Sequence, residues 1–209
     1  MPDSSNQALI VVDVQNCFVS GGTLAVQHGE QVVPVINRLA RRFANVVLTQ
    51  DWHPAGHASF ASSHAGHAPY DTIEMPYGPQ VLWPDHAVQG SEDAALHPGL
   101  DIPHAQLVIR KGYHAGIDSY SGFFEADRST PTGLGAYLRE RGIASVVVCG
   151  LATDFCVAWT ALDAALLGLA TTVVDDATRA IDLNGSLAAA WAQMQAAGIH
   201  RVNSGDLLA

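Results

Sequence analysis

Cys156 stands just inside a helix, close after the end of a strand. Val146-Val147-Val148-Cys149-Gly150 is a short apolar, β-branched run closed by glycine, the pattern of a buried parallel strand. In Leu151-Ala152-Thr153-Asp154-Phe155-Cys156-Val157 a helix begins. Thr153 is a good N-cap, Asp154 suits the positive end of the helix dipole, and Trp159, Leu162 and Leu166 continue an apolar face. Cys156 falls at about the third helical position, where backbone N–H groups lack helical partners and the dipole favours an anion. A thiol there loses its proton more easily and becomes a nucleophile. The same N–H groups can hold a developing oxyanion, so the pairing points to acyl transfer. The plain alternative is a buried cysteine packed as a small hydrophobe.

Two further groups close strands. Asp13 follows Ala8-Leu9-Ile10-Val11-Val12, and Lys111 follows Leu107-Val108-Ile109-Arg110. Alone, Asp13 is as well explained by capping a turn, and Lys111 by a solvated loop. Placed together with Cys156 they make coherent chemistry. Lys111 supports a thiolate, and Asp13 carries the thiol proton to a leaving amine.

A second constellation is Asp51-Trp52-His53 with His86. Asp51 and His53 follow the strand Val46–Gln50, and residues two apart in an extended chain point to one side. A carboxylate and two imidazoles with open positions suit Zn²⁺, Fe²⁺ or Mn²⁺. Among ten histidines, His57, His64, His67 and His114 are rival ligands, while His28, His97, His104 and His200 read as surface or packing residues.

The elements that must position these groups follow from pattern. Strands are expected at Leu9–Val14, Val46–Gln50, Gln106–Arg110, Val146–Gly150, Thr171–Val174 and Ile199–Val202. Helices are expected at Gln31–Phe43, Thr132–Arg141, Phe155–Ala170 and Ser186–Ala197. Apolar strands alternating with helices predict an α/β fold with a mostly parallel sheet covered on both faces, and ligands bind beyond the carboxyl ends of such strands. The chain of 209 residues suits a single domain, 1–209. The region from about 51 to 105 breaks the rhythm with Pro, Gly, His and Ser, and a loop that long is usually functional or disordered. Trp52, Phe60, Tyr70, Tyr77 and Trp83 argue for order there.

The formal charge of −10 argues against nucleic acid and anionic membranes as partners. The start of the chain lacks the pattern of a secretory signal, and no run reads as a membrane span. Three cysteines without paired spacing fit a reducing compartment, so a soluble, cytoplasmic protein is expected. The helix carrying Trp159 fits either a core or a homo-oligomer interface.

Several strings coincide in order from about Ala8 to Ala180. They are Asp13-Val14-Gln15-Asn16-Cys17-Phe18 with Gly21–Val26, Thr49–Pro54, Trp83–Val88, Lys111-Gly112 with Asp118–Phe123, and Gly150–Val157. Together they resemble the nicotinamidase/pyrazinamidase members of the isochorismatase-like cysteine hydrolases. The resemblance implies a three-layer α/β/α fold with a six-stranded, mostly parallel sheet. It implies hydrolysis of nicotinamide to nicotinate and ammonia, with pyrazinamide as an analogue. Cys156 would form a thioester, Asp13 would shuttle protons and activate water, and Lys111 would lie between them. Backbone N–H groups of Ala152 and Cys156 would form the oxyanion hole, with a cis peptide at Leu151-Ala152. One divalent metal, zinc first and iron or manganese as alternatives, would sit on Asp51, His53 and His86. A substrate ring nitrogen opposite the carboxamide would meet the metal. Phe18 and Trp83 would stack on the ring.

Some positions depart from the family. Cys17 replaces a frequently acidic residue, Ala87 a frequent cysteine, and Cys149 belongs to the core. Some relatives add a histidine ligand after the position of His53. Here His57 is spaced differently and Ser59 is the closer positional match, so the ligand count stays open.

Three alternatives compete. A sister cysteine amidohydrolase for N-carbamoyl or ureido amides would need no metal site. A non-catalytic binding protein would carry unreactive thiols. A hydrolase using metal-bound water would retain activity without Cys156.

Overall fold

The computed structural model describes residues 6–209, so the first five residues of the expected 1–209 domain lie outside the description. In chain order the elements are β1 (Gln7–Val12), α1 (Val32–Ala40), β2 (Asn45–Asp51), β3 (Thr72–Met75), β4 (Gly78–Val81), β5 (Leu107–Lys111) and α2 (Leu134–Glu140). There follow β6 (Ser145–Leu151), α3 (Ala158–Leu166), β7 (Ala170–Arg179), α4 (Ser186–Ala196), β8 (His200–Val202) and α5 (Ser204–Leu208). Six strands make one sheet in the order β5-β2-β1-β6-β7-β8, and every neighbouring pair is parallel.

The strand sequences explain the layers. β1 is apolar at every position from Ala8 to Val12, because a sheet covered on both faces buries both sets of side chains. Leu9 and Val11 pack on one side with Val32, Ile36, Leu39 and Ala40 of α1. Ala8, Ile10 and Val12 pack on the other with Leu134 and Leu138 of α2, the inner face of α3, and Ala190 and Met194 of α4. Full burial of each large aliphatic side chain contributes about 1.5–3 kcal/mol, so the alternation along β1 fixes which helix covers which face.

The centre of the sheet is pinched where the site lies. Gly150, in β6, has φ +117°, and a Cβ there would stand 2.1 Å from the Val12 carbonyl oxygen. Only glycine lets β1 and β6 approach so closely while the β6–β7 pairing shifts register between Val148 and Gly150.

Several elements differ from expectation: the first strand ends at Val12 and not at Val14, and α5 was not expected. β7 runs to Arg179, past the polar Asp175 and Asp176, whose carboxylates face Arg201 and Ser204. The long 51–105 region contains the antiparallel pair β3–β4, and its aromatics are anchored, with Phe60 and Trp83 buried. The helix after Cys156 stops at Leu166, where Gly168 takes a left-handed conformation, instead of reaching Ala170. No described helix is long and apolar enough to cross a membrane.

Candidate active site

β5, β2, β1 and β6 are neighbours, so their carboxyl ends deliver one cluster. Asp51 and Lys111 are paired in the β2–β5 register. Asp13 leaves β1 with φ +47°, and its carboxylate accepts from the Thr49 hydroxyl of β2 at 2.6 Å. The Thr49 oxygen in turn accepts from the Asp13 N–H at 3.2 Å, so one threonine fixes both ends of the residue.

Lys111 is the hub. Its Nζ lies 2.8 Å from Asp13 Oδ2, 2.8 Å from the Ser119 carbonyl and 3.4 Å from Cys156 Sγ, and it also donates to Asp51 Oδ1. The side chain is fully buried. Burial opposes its charge, but Asp13 and Asp51 hold its pKa well above the ordinary lysine value. Burial, reinforced by Asp51 and opposed by Lys111, lifts the Asp13 carboxyl to about 6.

Cys156 is held on the far side of a turn built differently from the expected helix start. The Leu151-Ala152 peptide is cis, as the resemblance implied. Thr153–Val157 form a π-helical turn preceding α3, with the Ala152 carbonyl accepting from Phe155 N–H at 3.2 Å and Val157 N–H at 3.1 Å. Thr153 makes no side-chain cap, and Asp154 turns away to accept from Ile181, Asp182 and Ser186. The thiol is not acidified. Burial, with Asp13 and Asp51 nearby, outweighs Lys111 and pushes it well above the ordinary thiol value. In the free site the proton therefore rests on sulfur, and the Asp13 carboxylate is the group that could accept it.

Asp51 joins the two constellations that the sequence separated. Its Oδ1 accepts from Lys111, while Oδ2 lies 3.9 Å from His53 Nε2 and 4.0 Å from His86 Nε2. His53 Nδ1 bonds the Gly112 carbonyl at 2.8 Å and His86 Nδ1 the Pro84 carbonyl at 2.8 Å. Carbonyls only accept, so both Nδ1 atoms carry the proton and both Nε2 lone pairs face Asp51. Burial lowers His53 to about 3 and His86 to about 4, keeping both rings neutral. Neutral imidazoles, tethered at the rear and converging on a carboxylate, fit a divalent metal.

The rival histidines are otherwise engaged. His57 Nε2 lies 3.0 Å from the His114 carbonyl and 3.1 Å from that of Ile117, and its Nδ1 accepts from Ser59 Oγ at 2.8 Å. His57 and Ser59 thus satisfy each other behind His53. His64 bonds the Ala58 carbonyl, His67 faces Asp71, and His114 faces Glu125. His97 accepts from the Gly99 N–H, His104 bonds the Ala40 carbonyl, and His28 and His200 are exposed. Cys17 and Cys149 are buried, and burial raises both thiols.

Phe18 and Trp83 both line the cleft that reaches Asp51, His53, His86 and Cys156. Leu24, Tyr120, Phe155 and Ile181 complete its apolar wall and were not singled out from sequence. Trp83 Nε1 donates to the Tyr120 hydroxyl at 3.0 Å, and the Trp83 ring meets Phe155 edge-on at 4.9 Å. The available signal was their place inside the motif strings: Tyr120 follows Lys111 in one, and Phe155 precedes Cys156 in another.

Comparison with known proteins agrees with this geometry. The isochorismatase domain model matches residues 7–204. A nicotinamidase of Acinetobacter baylyi is 60% identical over 208 residues, covering 100% of this chain and 97% of the relative. A solved nicotinamidase pyrazinamidase of Acinetobacter baumanii superposes with TM-score 0.97 at 61% identity, covering 98% of this chain and 99% of that one. A pyrazinamidase of Pyrococcus horikoshii, solved in complex with zinc, gives TM-score 0.78 at 33% identity, covering 95% and 99%. With the sheet order, the cis peptide before the cysteine turn and these matches in hand, the chain belongs to the isochorismatase family.

Proposed function

We propose that the protein is a nicotinamidase that hydrolyses nicotinamide to nicotinate and ammonia through a Cys156 thioester, with one divalent metal beside the substrate ring. One observation carries this: Lys111 touches Asp13, Cys156 and Asp51 at once, so the nucleophile, its base and the metal ligands form a single site.

Asp13, ionised above about pH 6, takes the thiol proton as sulfur bonds to the carboxamide carbon. Lys111 offsets the negative charge as it moves from carboxylate to sulfur. The N–H groups of Ala152 and Cys156 hold the oxyanion. Asp13 gives the proton to the amide nitrogen, the C–N bond breaks and ammonia leaves. A water then loses a proton to Asp13 and attacks the thioester. The C–S bond breaks, the proton on Asp13 returns to sulfur, and the acid leaves as nicotinate with its proton going to solvent.

A metal held by Asp51, His53 and His86 supplies a Lewis-acid anchor for the ring nitrogen. Zinc is the first choice, on the carboxylate-and-imidazole donor set and the zinc-bound relative. Phe18 and Trp83 hold the ring, and pyrazinamide fits as an analogue. The acidic chain with three buried free cysteines suits the cytoplasm, where nicotinate feeds NAD synthesis. The carbamoyl and ureido amidases share the catalytic groups but would leave His53 and His86 without a task, and Asp51 with Lys111 alone. Metal analysis and kinetics of Asp51→Ala and His86→Ala decide between the two. Loss of bound metal with KM for nicotinamide raised at least tenfold is expected. Full activity in both variants would favour the carbamoyl amidase.

A further inference from the structure

Asp154 is two residues before the nucleophile, yet its carboxylate serves a different segment. It is 6% exposed. Oδ1 accepts from the Ile181 N–H at 3.0 Å, and Oδ2 accepts from the Asp182 N–H at 2.8 Å and the Ser186 hydroxyl at 2.5 Å. Three donors from the crossover after β7 thus converge on one buried acid. Two backbone N–H groups and one hydroxyl held by the same buried carboxylate fix this segment in place. This grip is needed locally, because Asp182 and Asn184 both take left-handed conformations with φ +55° and +53°. Ile181, the first residue in this grip, lies just past the end of β7 and lines the cleft with an apolar side chain.

We propose that Ile181 is a specificity determinant that limits substituents on the substrate ring, and that Asp154 is the positioning residue that fixes it relative to Cys156. Because one side chain ties the ring wall to the nucleophile turn, the distance from wall to thiol is set within one rigid unit. A ring carrying an extra methyl against that wall meets Ile181, and the backbone that carries the wall cannot shift without breaking bonds to Asp154. This inference rests on the nicotinamidase reading and adds which flat amides the cleft rejects.

The test compares nicotinamide with the set of ring-methylated nicotinamides, as kcat/KM ratios. Shortening a wall by methyl-sized steps changes discrimination by about tenfold or more, so Ile181→Ala should favour at least one methylated isomer by that factor. Asp154→Asn should favour the same isomer several-fold, with KM for nicotinamide rising more than kcat falls. Ser186→Ala removes a single donor and should shift the ratio the same way by less, which keeps the test decisive if Asp154→Asn folds poorly. Ratios within twofold of wild type for every isomer in Ile181→Ala would overturn the wall. A fall in kcat with KM and ratios unchanged in both Asp154→Asn and Ser186→Ala would overturn the positioning role. If the wild type releases no nicotinate, the nicotinamidase reading fails and this inference falls with it. A working wild type with unchanged ratios defeats this inference alone.

Discussion

At the scale of single residues, the proposed mechanism divides a proton between two buried acids of unlike strength. Cys156 holds it and Asp13 is ready to take it. The sign of the pH dependence follows. Asp13 is effective only when ionised, so kcat/KM should fall about tenfold per pH unit below about 6 and level off above it. A pH–rate profile checks this, and activity that keeps rising on acidification would contradict it. Lys111 is sandwiched between two carboxylates with no exposure to water. Removing it leaves both acids buried without their cation, so Lys111→Met should destabilise the fold by about 3–5 kcal/mol as well as abolish turnover. Chemical denaturation beside the wild type measures that cost. The chemistry-bearing residues were legible in sequence because carboxylate, ammonium, thiol and imidazole are recognisable by type. Leu24 and Ile181 were not, since a cleft-lining aliphatic looks like any other core residue.

At the scale of elements, register and glycine do the positioning. Pairing of Asp51 with Lys111 across β2 and β5 brings the proposed metal ligand against the proposed catalytic lysine. The residue after Lys111 is equally constrained. Gly112 has φ +65°, and a Cβ there would stand 2.4 Å from His53 Cε1. Gly112→Ala should therefore displace the His53 ring and weaken metal binding by about tenfold or more, as loss of support to a liganding histidine does. Metal content after dialysis, with circular dichroism as the control for folding, reads this out. Undiminished metal content would contradict it. Strands β1, β2 and β6 were legible because their runs of Val, Ile and Leu suit only a doubly covered sheet. The pair β3–β4 was not, because Thr72–Val81 contains Glu74, Pro79 and Gln80 and its faces are largely exposed. The turn at Cys156 was legible as a helix start but not as a π-helical one. Its geometry depends on Asp154 bonding to a segment some thirty residues away.

At the scale of the whole molecule, the sheet order converts four separated segments into one site, and the proposed metal ligands join the end of β2 to the loop that carries His86. A ligand that binds only the folded state stabilises it by mass action, about 2.7 kcal/mol at a hundredfold excess over Kd. For a chain of this size that corresponds to a rise in Tm of about 5–10 °C on zinc addition. Thermal melts with and without zinc measure it, and the rise should vanish in His86→Ala. An equal rise in that variant would place the ion elsewhere. Nicotinamide hydrolysis by Cys156 is the proposal on which the other predictions rest. The most direct test is nicotinate formation by metal-loaded wild type beside Cys156→Ala. Turnover by the wild type and a loss of about a thousandfold or more in the variant are expected. A wild type that forms no nicotinate, or a variant that keeps most of the activity, would contradict it.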